Sequence, residues 1–172
     1  MNKVKVIFET GPLITSAKFK LEHKPILDFI IDSCEIVISS SVVKEVVVEG
    51  SRYLDSILVK ERVDKKRIFV KKLSYRDDRI LKMYRLGEGE IDSILLYQEL
   101  KNNVDFLVID DNLAYIVSDR LGLNKIFLVD LIVELVRRSK INKSIAKEII
   151  EAVKTRYSEG FIEHSLEMLK EV

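Results

Sequence analysis

Five short apolar runs, set apart by segments whose apolar positions recur at helical spacing, constrain this chain more than any other feature. The runs are Val4 to Phe8, Glu35 to Ile38, Ile68 to Val70, Phe106 to Ile109 and Ile126 to Val129, all rich in β-branched or aromatic residues. Runs of this length are strands rather than helices, and strands apolar throughout are buried on both faces. The helical segments between them supply the crossovers that parallel strands require. The predicted class is α/β: a three-layer α/β/α sandwich around a mostly parallel sheet of about five strands.

The segments between the runs carry their own signals. Pro12 suits the first turn of a short helix over 13–19, and His23-Lys24-Pro25 breaks the chain before a helix at Ile26 to Asp32. Ser39-Ser40-Ser41 offers caps for a helix over Val42 to Glu49, another restarts at Gly50-Ser51 and runs to about Arg62, and a further one is predicted over Tyr75 to Leu86. Ile91, Ile94, Leu95 and Leu100 mark one face of a helix that begins at Glu90. Asp110-Asp111-Asn112 caps a helix ending at Leu121, with Gly122 as its C-cap, and Asp130 is expected to cap the helix after the fifth strand. No strand is expected beyond Arg138. Ser144 to Tyr157 and Phe161 to Val172 read as amphipathic helices joined at Ser158-Glu159-Gly160, so that 140–172 forms a C-terminal helical hairpin on a single domain spanning 1–172. At 172 residues and 47% apolar content, the chain has core enough for one such domain and little room for two.

Composition narrows the function classes. Lys and Arg number 29 against 28 Asp and Glu, so bulk charge makes no claim on nucleic acid or membrane. Cys34 is the only cysteine and cannot form an internal disulfide, and with only His23 and His164 beside it there is no ligand set for structural zinc. No stretch approaches the roughly 18 apolar residues that span a bilayer, and the apolar opening is broken at Glu9. The expectation is a cytoplasmic protein without membrane association.

In open α/β sheets, ligands gather beyond the carboxyl ends of the strands. Glu9 follows the first strand, the Ser39 to Ser41 cluster and then Glu45 follow the second, and Asp110 and Asp111 follow the fourth. Glu90 and Asp92 open the helix that leads into that fourth strand. Carboxylates with no His, Cys or Lys among them are the donor set of a hard divalent cation and point to metal-assisted phosphate chemistry. Glu90 and Asp92 lie about 200° apart around a helix, which makes Glu90 the expected direct ligand and Asp92 a partner through water. Each acid also has a plain structural reading: Asp110 or Asp111 as an N-cap, Glu90 as a complement to the helix dipole, Glu45 as a solvated partner of Lys44 or Arg52. Other phosphate motifs are excluded by position, because no G-x-G-x-x-G or Asp-x-Asp follows the first strand and no Gly-Lys-Ser/Thr occurs.

These residues resemble the PIN domains, small metal-dependent ribonucleases that include the toxins of toxin–antitoxin modules. Val6-Ile7-Phe8-Glu9-Thr10-Gly11-Pro12-Leu13-Ile14 is similar to the family's opening strand and its Asp-Thr/Ala-Gly/Ser-Pro-Leu-Ile turn. Gly87-Glu88-Gly89-Glu90-Ile91-Asp92-Ser93-Ile94 is similar to the Gly-Glu-x-Glu-Ala-Ile segment of an archaeal and bacterial subgroup. Leu107-Val108-Ile109-Asp110-Asp111-Asn112-Leu113-Ala114, running on to Arg120-Leu121-Gly122-Leu123, resembles that subgroup's Leu-Ile-Asp-Asp/Glu-x-x-Ala and its Leu-Gly ending, and the hairpin with Gly160-Phe161-Ile162 also fits. The resemblance covers nearly the whole chain, least between Arg52 and Arg85.

The resemblance implies a divalent-metal-dependent endoribonuclease. Its catalytic acids carry over onto Glu9, Glu45, Glu90 and Asp110, and its metal ligands for Mg²⁺ or Mn²⁺ onto Glu9, Glu90, Asp92, Asp110 and Asp111. It further implies single-stranded or structured RNA as substrate, a homodimer and, for a toxin, a small antitoxin protein that blocks the crevice. Glu9 stands where the family normally carries Asp, and its extra methylene moves the carboxylate outward by about one bond. That departure supports an alternative reading, a PIN-like RNA-binding or protein-interaction module with weakened catalysis. A metal-dependent phosphatase acting on a small molecule is a third reading of the same acids. The basic run from Lys60 to Lys72 is either a solvated face or, where it flanks the crevice, a hold on an RNA backbone.

Overall fold

In the computed structural model, which describes residues 3–172, strand β1 (Val4–Phe8) is the centre of a five-stranded sheet. A separate two-stranded hairpin joins β2 (Lys20–Leu21) to β3 (Lys24–Pro25). On one side of β1 lie β4 (Cys34–Ser39) and β5 (Ile68–Lys71), and on the other β6 (Phe106–Val108) and β7 (Lys125–Ile126), giving the order β5-β4-β1-β6-β7 with every pair parallel. The register pairs Val6 with both Ile36 and Phe106.

Strand side chains alternate between two helical layers. Val4, Val6 and Phe8 share one core with Ile36, Ile38 and Val108, while Ile7 faces the other with Val37, Leu107 and Ile109. The first layer holds α1 (Thr10–Lys18), α2 (Ile26–Ser33), α3 (Ser40–Val43) with its π-helical continuation Lys44–Glu49, and α4 (Leu54–Asp64). The second holds α5 (Arg79–Met83), α6 (Glu88–Leu100) and α7 (Asn112–Arg120). Helices α8 (Leu128–Arg137), α9 (Lys143–Ala152) and α10 (Glu159–Glu171) return to the first layer, where Leu131, Ile149 and Ile162 join the core around Phe8. Each fully buried Ile or Leu contributes about 1.5–3 kcal/mol.

Several boundaries differ from the sequence expectations. The fifth strand stops at Ile126, and Val129 already lies in α8; a continuous apolar run does not separate a strand from the buried helix that follows it. Phe127 is therefore the N-cap, and Asp130, inside the first turn, accepts from Ser165 Oγ at 2.9 Å instead of capping. The predicted helix over Tyr75 to Leu86 contracts to α5, ended by Arg85 at φ 58°. The helix expected from Gly50-Ser51 begins at Leu54, because Gly50 closes the π-helical turn through its N–H to Glu45 O at 3.1 Å. The break at His23-Lys24-Pro25 is the β2–β3 hairpin, which turns at Glu22 with φ 54° and so without a glycine to announce it. The first C-terminal helix ends at Ala152 and is followed by a 3₁₀ turn, Lys154–Arg156.

Most of the basic run is structural. Lys65, Lys66 and Arg67 precede β5 and lie at the amino edge of the sheet, away from Glu9. Arg62 holds Asp28 through hydrogen bonds of 2.7 and 2.8 Å, Arg67 reaches Asp32 at 2.7 Å, and Lys60 and Lys65 pair with Asp64 and Glu61. The Arg62 guanidinium holds the Asp28 carboxyl below its ordinary range. Arg62→Met is expected to lower the unfolding free energy in urea by about 1–3 kcal/mol, since it leaves a mostly buried carboxylate with only the longer 3.5 Å ion pair to Arg67, whereas Lys60→Met at an exposed pair should change it little.

Candidate functional site

The strand order reverses beside β1: the chain lays β4 and β5 on one side, then returns to lay β6 and β7 on the other. Helix α1 leaves β1 into the first layer and α7 leaves β6 into the second, which opens a crevice between the two carboxyl ends. Glu9 and Asp110 stand on either side of that opening.

Glu9 is the N-cap of α1, and its Oε1 accepts the Gly11 N–H at 2.9 Å. Its own backbone N–H donates to Val108 O at 3.1 Å, tying it to β6. The residue is only 5% exposed, and Oε2 is buried with no hydrogen-bond partner. Burial pushes the carboxyl up from the ordinary 4.5 to about 8, opposed by the Gly11 bond and reinforced by the charges of Glu90, Asp110 and Glu45.

Glu45 sits in the first turn of the π-helical segment that continues α3. It accepts from Thr10 Oγ1 at 2.5 Å and from the Gly89 N–H at 2.8 Å, so it ties α1 to the first turn of α6. Lys44 pairs with Glu49 and Arg52 lies over the Tyr53 ring, so neither is its partner. The Thr10 hydroxyl thus serves Glu45 rather than Glu9. A Cβ at residue 89 would overlap the Glu45 carboxylate and stand 2.7 Å from Thr10 Oγ1, so a side chain there displaces that carboxylate from the Gly89 N–H.

Glu90 is half-buried, and its Oε2 accepts the Gly87 N–H at 2.8 Å, closing its own helix start. Burial and then the charges of Asp111 and Glu45 raise its proton affinity, against the Gly87 bond. Asp110 accepts twice: Oδ1 from the Leu128 N–H at 3.1 Å, where α8 begins, and Oδ2 from the Tyr157 hydroxyl at 2.6 Å. Its carboxyl is raised by burial, more than those two bonds and the neighbouring Arg156 lower it.

As these acids are hydrogen-bonded, no three His, Cys, Asp or Glu side chains among the described residues stand close enough to share a metal ion. The donor set nonetheless fits a hard cation: it is all oxygen, and one buried oxygen has no partner.

A family model described as a PIN domain matches residues 5–171. The chain belongs to the PIN-domain family. The family has a nuclease-like fold, generally uses divalent metals and often binds RNA. No curated protein matches this sequence. Among solved structures, a domain of a functionally unknown protein from Methanocaldococcus jannaschii DSM 2661 is similar to it at 22% identity with a TM-score of 0.43, over 72% of this chain and 90% of that one. No helix among the described residues is long and apolar enough to cross a membrane.

Within this PIN domain, Glu9, Glu45, Glu90 and Asp110 lie near enough for the other three to act on Glu9 electrostatically. Asp111 acts on Glu90 and caps α7, accepting the Ala114 N–H at 2.8 Å. Asp92 is engaged elsewhere: it is buried, accepts from Ser41 Oγ, and forms an ion pair with Arg76 at 2.9 Å that falls short of a well-aligned hydrogen bond. Arg76 and Tyr157 escaped the sequence reading, because Arg76 lay inside a predicted helix and nothing near Tyr157 ties it to a residue so distant in sequence.

Two outcomes are expected. Gly89→Ala should lower the thermal midpoint, a loss of about 1–3 kcal/mol by overpacking, although alanine in a helix would otherwise gain up to about 1 kcal/mol; a gain would mean that Glu45 is not held on the Gly89 backbone. The folded state binds a proton at Glu9 more tightly than the unfolded state does, so its contribution to stability falls as pH rises from about 4.5 to about 8. In chelator, Glu9→Gln should therefore be more stable than the native chain at pH 8, with the margin shrinking toward pH 4.5.

Proposed function

We propose that this PIN domain is a divalent-metal-dependent endoribonuclease with Glu9, Glu45, Glu90 and Asp110 as its catalytic acids. The observation that carries this reading is the Glu9 carboxylate, buried at the strand-order reversal with Oε2 unpartnered and three acids around it. A carboxylate so placed costs stability unless a cation offsets it. Glu9, Glu90 and Asp110 would hold Mg²⁺ or Mn²⁺, with Asp111 beside Glu90; Asp92, committed to Ser41 and Arg76, stays outside this set. When bound, such an ion supplies neutralisation of the phosphodiester's charge and a more acidic attacking water. Glu45, fixed by Thr10 Oγ1 and the Gly89 N–H, keeps lone pairs to orient that water. The helix N-termini around the crevice add partial positive charge where an RNA phosphate enters.

The same reading takes single-stranded or structured RNA as substrate and a single domain over 1–172 as the unit. By its resemblance to toxins it extends to a cytoplasmic homodimer covered by a small antitoxin protein. A second reading, a binding module with weakened catalysis, is favoured by the Glu9 carboxylate reaching back to cap its own helix at Gly11.

Cleavage of a mixed-sequence single-stranded RNA, by native chain and Asp110→Asn, in Mn²⁺ and in chelator, tests the proposal. Cleavage that requires both Mn²⁺ and Asp110 is expected, together with a rise in thermal midpoint on adding Mn²⁺ that Asp110→Asn abolishes. If neither appears, Glu9→Asp is the next comparison: activity regained there assigns the loss to one methylene, and continued inactivity removes the nuclease reading.

A further inference from the structure

We propose that Tyr157, from the segment between α9 and α10, is a positioning residue for the metal site, fixing the direction in which Asp110 offers its lone pairs. The inference rests on the nuclease reading above.

A carboxylate at the end of a strand is free to rotate about its side-chain bonds unless donors hold it. Asp110 is held at both oxygens by separate elements: the first N–H of α8 fixes Oδ1, and the Tyr157 hydroxyl fixes Oδ2 from 47 residues further along the chain. Each carboxylate oxygen has about two acceptor directions. One donor on each leaves one direction on each, and both are set relative to the crevice. The other acids have no comparable side-chain support from the C-terminal segment: Glu9 and Glu90 lean on backbone N–H groups of their own helix starts, and Glu45 on Thr10 and Gly89. Asp130, the half-buried acid in the first turn of α8, is turned to Ser165 within the α8–α10 contact.

Tyr157 is well placed for such a task. The 3₁₀ turn Lys154–Arg156 ends immediately before it, and Tyr157 itself packs against the core of the first layer. A phenol ring has few rotatable bonds, so its hydroxyl holds a partner with little loss of freedom. Partners that orient a metal ligand without touching the metal typically change affinity by about 10–100-fold when removed.

The test is the Mn²⁺ dissociation constant of the full chain, by titration followed with Mn²⁺ electron paramagnetic resonance, for the native protein, Tyr157→Phe and Tyr157→His. Circular dichroism and the thermal midpoint are recorded on each. The phenylalanine variant keeps the ring and is expected to bind Mn²⁺ about tenfold more weakly, and histidine, which restores a donor, should recover part of the loss. Unchanged Mn²⁺ affinity in a folded Tyr157→Phe with a lowered midpoint would overturn the proposal and leave Tyr157 as a packing residue. Tighter binding would overturn it too, since the hydroxyl would then compete with the ion. A native chain that takes up no Mn²⁺ would instead overturn the nuclease reading itself, and the positioning role with it.

Discussion

Keeping the Glu9 carboxylate out of water is the constraint around which the carboxyl edge of the sheet is organised. Glu9 directly follows β1, the strand paired on both sides, and is buried at the head of the crevice. One backbone N–H, from Gly11, offsets part of the desolvation. The three nearest acids add to the cost rather than relieve it. A fold selected for stability alone has apolar or amide side chains available for such a position.

The crevice tolerates its acids through backbone dipoles. The starts of α1, α6, α7 and α8 all direct N–H groups at carboxylates: Gly11 at Glu9, Gly87 at Glu90, Gly89 at Glu45, Ala114 at Asp111 and Leu128 at Asp110. Helix N-termini have unsatisfied donors in any case, and their partial positive charge falls off within a turn. Parallel topology brings those starts to one edge, because every strand leaves the sheet on the same side. The acid cluster and the parallel sheet are thus two aspects of one arrangement.

What the sequence disclosed divides by range. Strands Val4–Phe8 and Ile68–Lys71 and the Ser39 cap rest on neighbouring residues and were legible, and parallel topology was enough to set Glu9, Asp110 and Asp111 beyond the carboxyl ends of their strands. On α6 Glu90 and Asp92 take different partners, and periodicity could not show that Arg76 and Ser41 claim Asp92, because both come from other elements. Where Ile126 to Val129 pass from strand to helix, hydrophobicity is continuous and only the end of the ladder with β6 marks the change. The region from Tyr75 to Leu86 is rich in charged residues, and Arg76 with Asp78 and Asp77 with Arg79 pair two apart in an irregular segment ahead of α5, a spacing that helical periodicity does not bring together.

The bond between the Tyr157 hydroxyl and Asp110 also ties the crevice to the C-terminal helices. That hydroxyl is supplied only once the chain has run 47 residues past Asp110, from the turn between two helices that themselves complete the first-layer core through Ile149 and Ile162. Local opening of this C-terminal pair would therefore free Asp110 to rotate.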